Sequence, residues 1–171
     1  MDTYMVVLRI VHIIAGAFWV GSALVVFLFL QPTAREVGPS ASPFMMHLAQ
    51  KKRLPDIVLG AAGLTILAGL LMYWRVTDGL DADRVGSDYG IAITIGALAA
   101  IAAVALGASV VRPSMVAAGA IGQEVAASGG PPTPEQAAQI QALQGRVRAA
   151  GKAIVPLLLF ATAAMASASY L

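Results

Sequence analysis

Long apolar runs alternate along this chain with short polar connections that carry most of its charge. The runs cover about 4–30, 54–74, 89–111 and 153–170. Each is close to or beyond the roughly 20 helical residues that cross a hydrocarbon core of about 30 Å. Helices satisfy their backbone hydrogen bonds internally and an open strand in lipid does not, so all four runs predict helices. The pattern therefore predicts an all-α protein: an integral membrane four-helix bundle, one domain over 1–171, with a helical hairpin over about 113–151 extending the third and fourth helices.

Composition sharpens this picture. Hydrophobic residues make up 58% of the chain and charged residues only 12%, with a mean hydropathy of +0.79. Soluble domains run nearer 45–50% apolar and about 25% charged, so the bilayer must act as part of the solvent. The absence of cysteine excludes disulfides, thiolate zinc sites and iron–sulfur clusters. A cleaved signal peptide is disfavoured, because Met1-Asp2-Thr3-Tyr4 lacks positive charge and only Arg9 and His12 interrupt the long first run.

The connections set the expected orientation. The first holds Arg35, Lys51, Lys52 and Arg53, and the third holds Arg112, Arg146, Arg148 and Lys152. The second has Arg75 and Arg84 beside Asp78, Asp81, Asp83 and Asp88. Counting Lys and Arg makes the first and third connections cytoplasmic and puts both termini outside. Basic residues beside membrane segments point to membrane lipids as partners and away from nucleic acid. Tyr4, Tyr73, Trp74, Tyr89 and Tyr170 fall near span ends on one side, as an aromatic belt does. The four aspartates lack the spacing of a calcium loop and read as a solvated turn.

Within the third connection, Gly129-Gly130-Pro131-Pro132 breaks any helix, and Thr133-Pro134-Glu135-Gln136 matches a capping box. This predicts helices at 114–127 and 134–151, the second running into the fourth span, with Pro113 following the third span and Pro156 placed to kink the fourth. Ser42-Pro43 reads as a further helix start, and Pro55 bends the chain into the second span. Small residues recur every four positions at Ala61, Thr65 and Gly69, at Ala92, Gly96 and Ala100, and at Ala99, Ala103 and Gly107. Such stripes predict close helix packing, within the chain or against other membrane subunits.

Candidate chemistry centres on His12. At 100° per residue His12, Gly16 and Trp19 share one face of the first helix, bordered by Arg9. An ionisable side chain in lipid faces a partner or a cofactor, so this face is a candidate site for haem b or a porphyrin, with Gly16 leaving room for a flat macrocycle. The competing reading is a neutral histidine hydrogen-bonded to a neighbouring helix, with Arg9 snorkelling to lipid phosphate. His12, Met45, Met46 and His47 are the candidate copper ligands, since thioether and imidazole suit copper(I). An amphipathic anchor is the simpler account of Phe44-Met45-Met46-His47. No Asp, Glu or Lys lies in the interior of a span, Asp56 falling at the very start of the second, which argues against ion-coupled transport, and no hydrolase or nucleotide-binding motif occurs.

The stretch Leu8-Arg9-Ile10-Val11-His12-Ile13-Ile14, followed by Trp19-Val20-Gly21, resembles the first helix of small bacterial membrane proteins of the copper-resistance D and membrane-bound protoporphyrinogen oxidase type. Lys52-Arg53-Leu54 is similar to the basic pair and leucine before the second helix of the oxidases. The resemblance covers roughly the first seventy residues. It implies a haem- or porphyrin-linked histidine at His12 and a bacterial inner-membrane location. Where the oxidases place a functional lysine, this chain has Asp88-Tyr89-Gly90-Ile91. The latter half is similar to uncharacterised four-span bacterial proteins. Three functions are expected: a non-catalytic accessory subunit of a membrane redox or photosynthetic complex, a b-type haem or porphyrin-oxidising protein using His12, or a copper-handling protein.

Overall fold

The computed structural model describes residues 2–171, so Met1 of the expected domain lies outside it. Among the described residues there is no strand. Four helices are long and apolar enough to cross a membrane: α1 (Thr3–Val37), α2 (Leu54–Val76), α3 (Asp88–Ser128) and α4 (Pro134–Tyr170). The fold is the all-α bundle expected, and by length and composition the chain is a multi-pass membrane protein.

Local chemistry explains where the helices start. The Asp2 carboxylate accepts from the Tyr4 amide at 3.2 Å, and the Ser87 hydroxyl accepts from the Gly90 amide at 3.1 Å. Before α4 the capping box is complete: Gln136 N–H donates to Thr133 Oγ1 at 3.2 Å, and Thr133 N–H donates to Gln136 Oε1 at 3.1 Å. The neighbouring Glu135 carboxyl is held below its ordinary range by its own backbone N–H and by the Thr133 hydroxyl. Gly129 closes α3 in the left-handed conformation, φ 68°, which glycine adopts without Cβ strain.

Three prolines sit just after wide turns. The Arg112 amide reaches back five residues to the Gly107 carbonyl, and the Gln31 amide does the same to Val26. These π turns, Gly107–Val111 and Val26–Leu30, immediately precede Pro113 and Pro32. A proline ring collides with the carbonyl four residues back in a regular α-helix, and widening that turn moves the carbonyl aside. The third helix therefore runs on through Pro113 as one rod into the hairpin, extending the third span as expected. The π turn His47–Lys51 precedes Pro55, and there the helix does stop, with Arg53 at φ 51° starting the turn into α2. Ser42–Met46 is helical, as Ser42-Pro43 suggests. The helix of α4 continues through Pro156 without interruption.

The bundle consists of two antiparallel pairs. Most interhelical contact lies between α1 and α2 and between α3 and α4, and contact between the pairs is much sparser. The core is small: Trp19, Ala23, Ala62, Ala99, Ala100, Ala103, Ala150, Ile154, Leu158 and Ala161. Large side chains such as Ile14, Phe29, Leu98 and Phe160 point outward. This small-inside, large-outside arrangement suits hydrocarbon, where close backbone approach replaces the hydrophobic effect as the packing force. Gly96 touches Met165 and Ala164 of α4, and Phe27 of α1 lies against Gly151. At the end that carries Tyr4 and Trp74, Tyr73 O–H donates to Thr94 Oγ1 at 2.7 Å, because the Thr94 proton is committed to the Gly90 carbonyl.

Three consequences are measurable in detergent, two by unfolding and one by amide exchange. Gly151→Ala drives a methyl into the Phe27 ring and should cost about 1–3 kcal/mol, as overpacking does. Gly145→Ala, where a Cβ meets nothing within 4 Å, should be neutral or stabilising by up to about 1 kcal/mol. Thr133→Ala removes the cap hydroxyl and should destabilise the start of α4 by about 1 kcal/mol, seen as faster amide exchange over the first turns.

Candidate functional site

The inward face of α1 is built from Ala15, Trp19 and Ala23, and His12 lies one turn before it. The His12 ring crosses to α2, where its Nδ1 lies 2.8 Å from the Thr65 carbonyl oxygen. A carbonyl has no proton to give, so the ring donates. In the neutral tautomer this bond selects, the hydrogen sits on Nδ1 and Nε2 is the acceptor. The Thr65 hydroxyl turns the other way and donates to the Ala61 carbonyl at 2.8 Å, so buried Thr65 is satisfied.

Two glycines make this crossing possible. A Cβ on Gly69 would sit 2.9 Å from His12 Cε1 and 3.1 Å from Nδ1. A Cβ on Gly16 would sit 3.3 Å from Thr65 Cγ2. The stripe Ala61, Thr65, Gly69 is thus the floor on which His12 and Gly16 rest. Trp19 is only 6% exposed and lies in the core, while Arg9 is exposed at the rim. His12, Gly16 and Trp19 do share a face, but α2 covers it. The gap expected at Gly16 for a macrocycle holds the Thr65 methyl, so the residues as placed offer a bare nitrogen at Nε2 and no slot for a haem plane beside Gly16.

The four soft ligands are not brought together. His12 pairs with Thr65, eleven residues into α2, and at 1.5 Å per residue that is about 16 Å along the axis from the helix start. His47 precedes that start. Met46 is a packing group, with Gly122 of α3 against its sulfur, and Met45 is half-buried beside it. Among the described residues no three of His, Cys, Asp and Glu gather in a metal-binding group.

A second polar centre lies at the opposite end and was not legible in the sequence. Asp56 Oδ1 accepts from Arg112 Nε at 3.0 Å, and Asp56 Oδ2 accepts from Arg53 Nε at 3.3 Å. This carboxylate ties the start of α2 to the midpoint of α3. Gln123 Nε2 donates to Gln50 Oε1 at 2.8 Å, closing the far side. Between them lies a cleft of about 330 Å³ walled by Gln50, Arg53, Asp56, Arg112, Val116 and Gln123. An apolar chamber of about 90 Å³ adjoins it, walled by Phe27, Val58, Leu59, Val104, Gly107 and Ile154 among others. The two spaces share Pro55, Arg112 and Met115. Asp56 reads in the sequence as one more connection charge, because its partner Arg112 is 56 residues away.

Comparison with protein-family models, curated proteins and solved structures found no match.

The His12 geometry fixes a spectroscopic outcome. Nitrogen-15 spectra of the protein labelled at histidine should show His12 as the Nδ1–H tautomer. Gly69→Val pushes the ring off its carbonyl, and should erase that signature while lowering stability by about 1–3 kcal/mol.

Proposed function

We propose that the chain is a non-catalytic membrane subunit that packs against the helices of a larger redox or photosynthetic complex. The observation that carries the packing role is the behaviour of two glycines. Gly16, Gly69, Gly96 and Gly151 each admit a neighbour from another helix of this chain. Gly60 and Gly63, on the outward side of α2, have nothing within 4 Å of a Cβ. A helical glycine costs about 1 kcal/mol relative to alanine and is retained in membrane helices chiefly where backbones meet. Gly60 and Gly63 form a notch beside exposed Leu64 and Leu67, which a helix from outside this chain would fill. The other small-residue stripes are largely used up inside the bundle.

The resemblance of the first helix to haem- and porphyrin-linked membrane proteins supports the redox character of the complex. The loop charges support a bacterial inner-membrane setting with both termini outside. A second reading, b-type haem or porphyrin binding at His12, is favoured by one observation: a ring that donates from Nδ1 to a backbone carbonyl is oriented as metal-bound histidines are. It requires Thr65 and α2 to withdraw from Gly16.

The test is the size of the assembly in mildly solubilised native membranes. The wild-type chain should migrate far above its own 17.5 kDa, and Gly60→Ile with Gly63→Ile should release it as a single chain without loss of thermal stability. Unchanged migration of the variant, or a wild type that runs alone, overturns the proposal. A Soret band in the purified protein would favour the second reading.

A further inference from the structure

We propose that the cleft at Arg53 and Arg112, with the apolar chamber beside it, is a binding site for one anionic phospholipid. The inference does not depend on the notch at Gly60 and Gly63.

Charge is the first argument. Two guanidinium groups converge on the single carboxylate of Asp56, and each uses only its Nε there. Their remaining N–H donors face the cleft or solvent, with side chains 72% and 49% exposed. The centre therefore keeps one net positive charge and a fan of donors suited to a phosphodiester. On the far wall Gln50 accepts from Gln123 through its amide oxygen and lays its amide nitrogen against Gly119, so the charged donors are the two arginines.

Continuity is the second. Pro55, Arg112 and Met115 line both spaces, so a headgroup on the arginines lies next to an apolar compartment. That compartment lies between the two helix pairs, walled by Phe27 of α1, Val58 of α2, Val104 of α3 and Ile154 of α4. Its volume suits the first methylenes of an acyl chain. The rest of the chain runs out past half-buried Val26 and Leu59 into the surrounding hydrocarbon. Gly107 lies on the wall with nothing within 4 Å of a Cβ, so the space is not filled by the protein itself. A free anion would use the arginines and leave the chamber idle; a neutral lipid would use the chamber and leave the arginines idle. Only an anionic amphiphile uses both.

The test is native mass spectrometry of the full chain released from detergent with defined lipid added. Dioleoyl phosphatidylglycerol should be retained as one bound molecule, and dioleoyl phosphatidylcholine should bind about tenfold more weakly, the difference expected for one or two charge-assisted hydrogen bonds. Inorganic phosphate in excess should not displace the lipid. Gly107→Leu, which fills the chamber and leaves both arginines, should weaken phosphatidylglycerol retention about tenfold. Arg53→Gln, at an exposed position, should narrow the preference for the anionic headgroup. Equal retention of the two lipids by the wild type overturns the proposal without any variant. Displacement by phosphate reduces the site to an anion patch and also overturns it, as does a folded Gly107→Leu chain that holds phosphatidylglycerol as well as the wild type.

Discussion

In hydrocarbon an apolar side chain gains nothing by leaving lipid for protein, so helices must find another reason to touch. Here that reason is the close approach of one helix to the bare backbone of another at glycine. Gly69 lets the His12 ring reach the Thr65 carbonyl, Gly96 lets α4 close on α3, and Gly151 receives the Phe27 ring from the other pair. The dispersion energy of each approach falls steeply with distance, and a single methyl at these positions holds the helices apart. The His12 bond, the alanine core and the chamber beside Arg112 all depend on these separations being kept.

Proline placement follows a related constraint. A proline ring sits poorly in a regular turn, and although α4 carries Pro156 within an unbroken α-helix, α3 meets its proline differently. The π turn Gly107–Val111 resolves the conflict by widening the helix one step before Pro113. The same widening puts Gly107 and Val111 on the wall of the apolar chamber and Arg112 at its mouth. A local backbone solution thus also creates a junction where charge and cavity meet.

The spans, the capping box at Thr133 and the close-packing stripes were legible because each is a local pattern: hydropathy, a four-residue motif, a helical period. The face shared by His12, Gly16 and Trp19 was legible for the same reason. What fills that face was not, since Thr65 lies 53 residues from His12 and nothing in either segment announces the pairing. The extension of α3 into the hairpin was legible, but the π turn that admits Pro113 was not, because no residue pattern encodes one. Asp56 with Arg53 and Arg112 was missed because three ordinary interfacial charges become a centre only when α2 and α3 are set side by side.

The division of the bundle into two pairs has a thermodynamic consequence. Contacts within α1–α2 and within α3–α4 are dense, while the seam between them rests on Tyr73 with Thr94, Phe27 with Gly151, Asp56 with Arg112 and a thin alanine core. Cooperativity is only as strong as the contacts that couple the parts. Under heat or denaturant the seam is the plane of least resistance, so the molecule should part into two helical hairpins before either hairpin melts, and its unfolding should depart from a single all-or-none event.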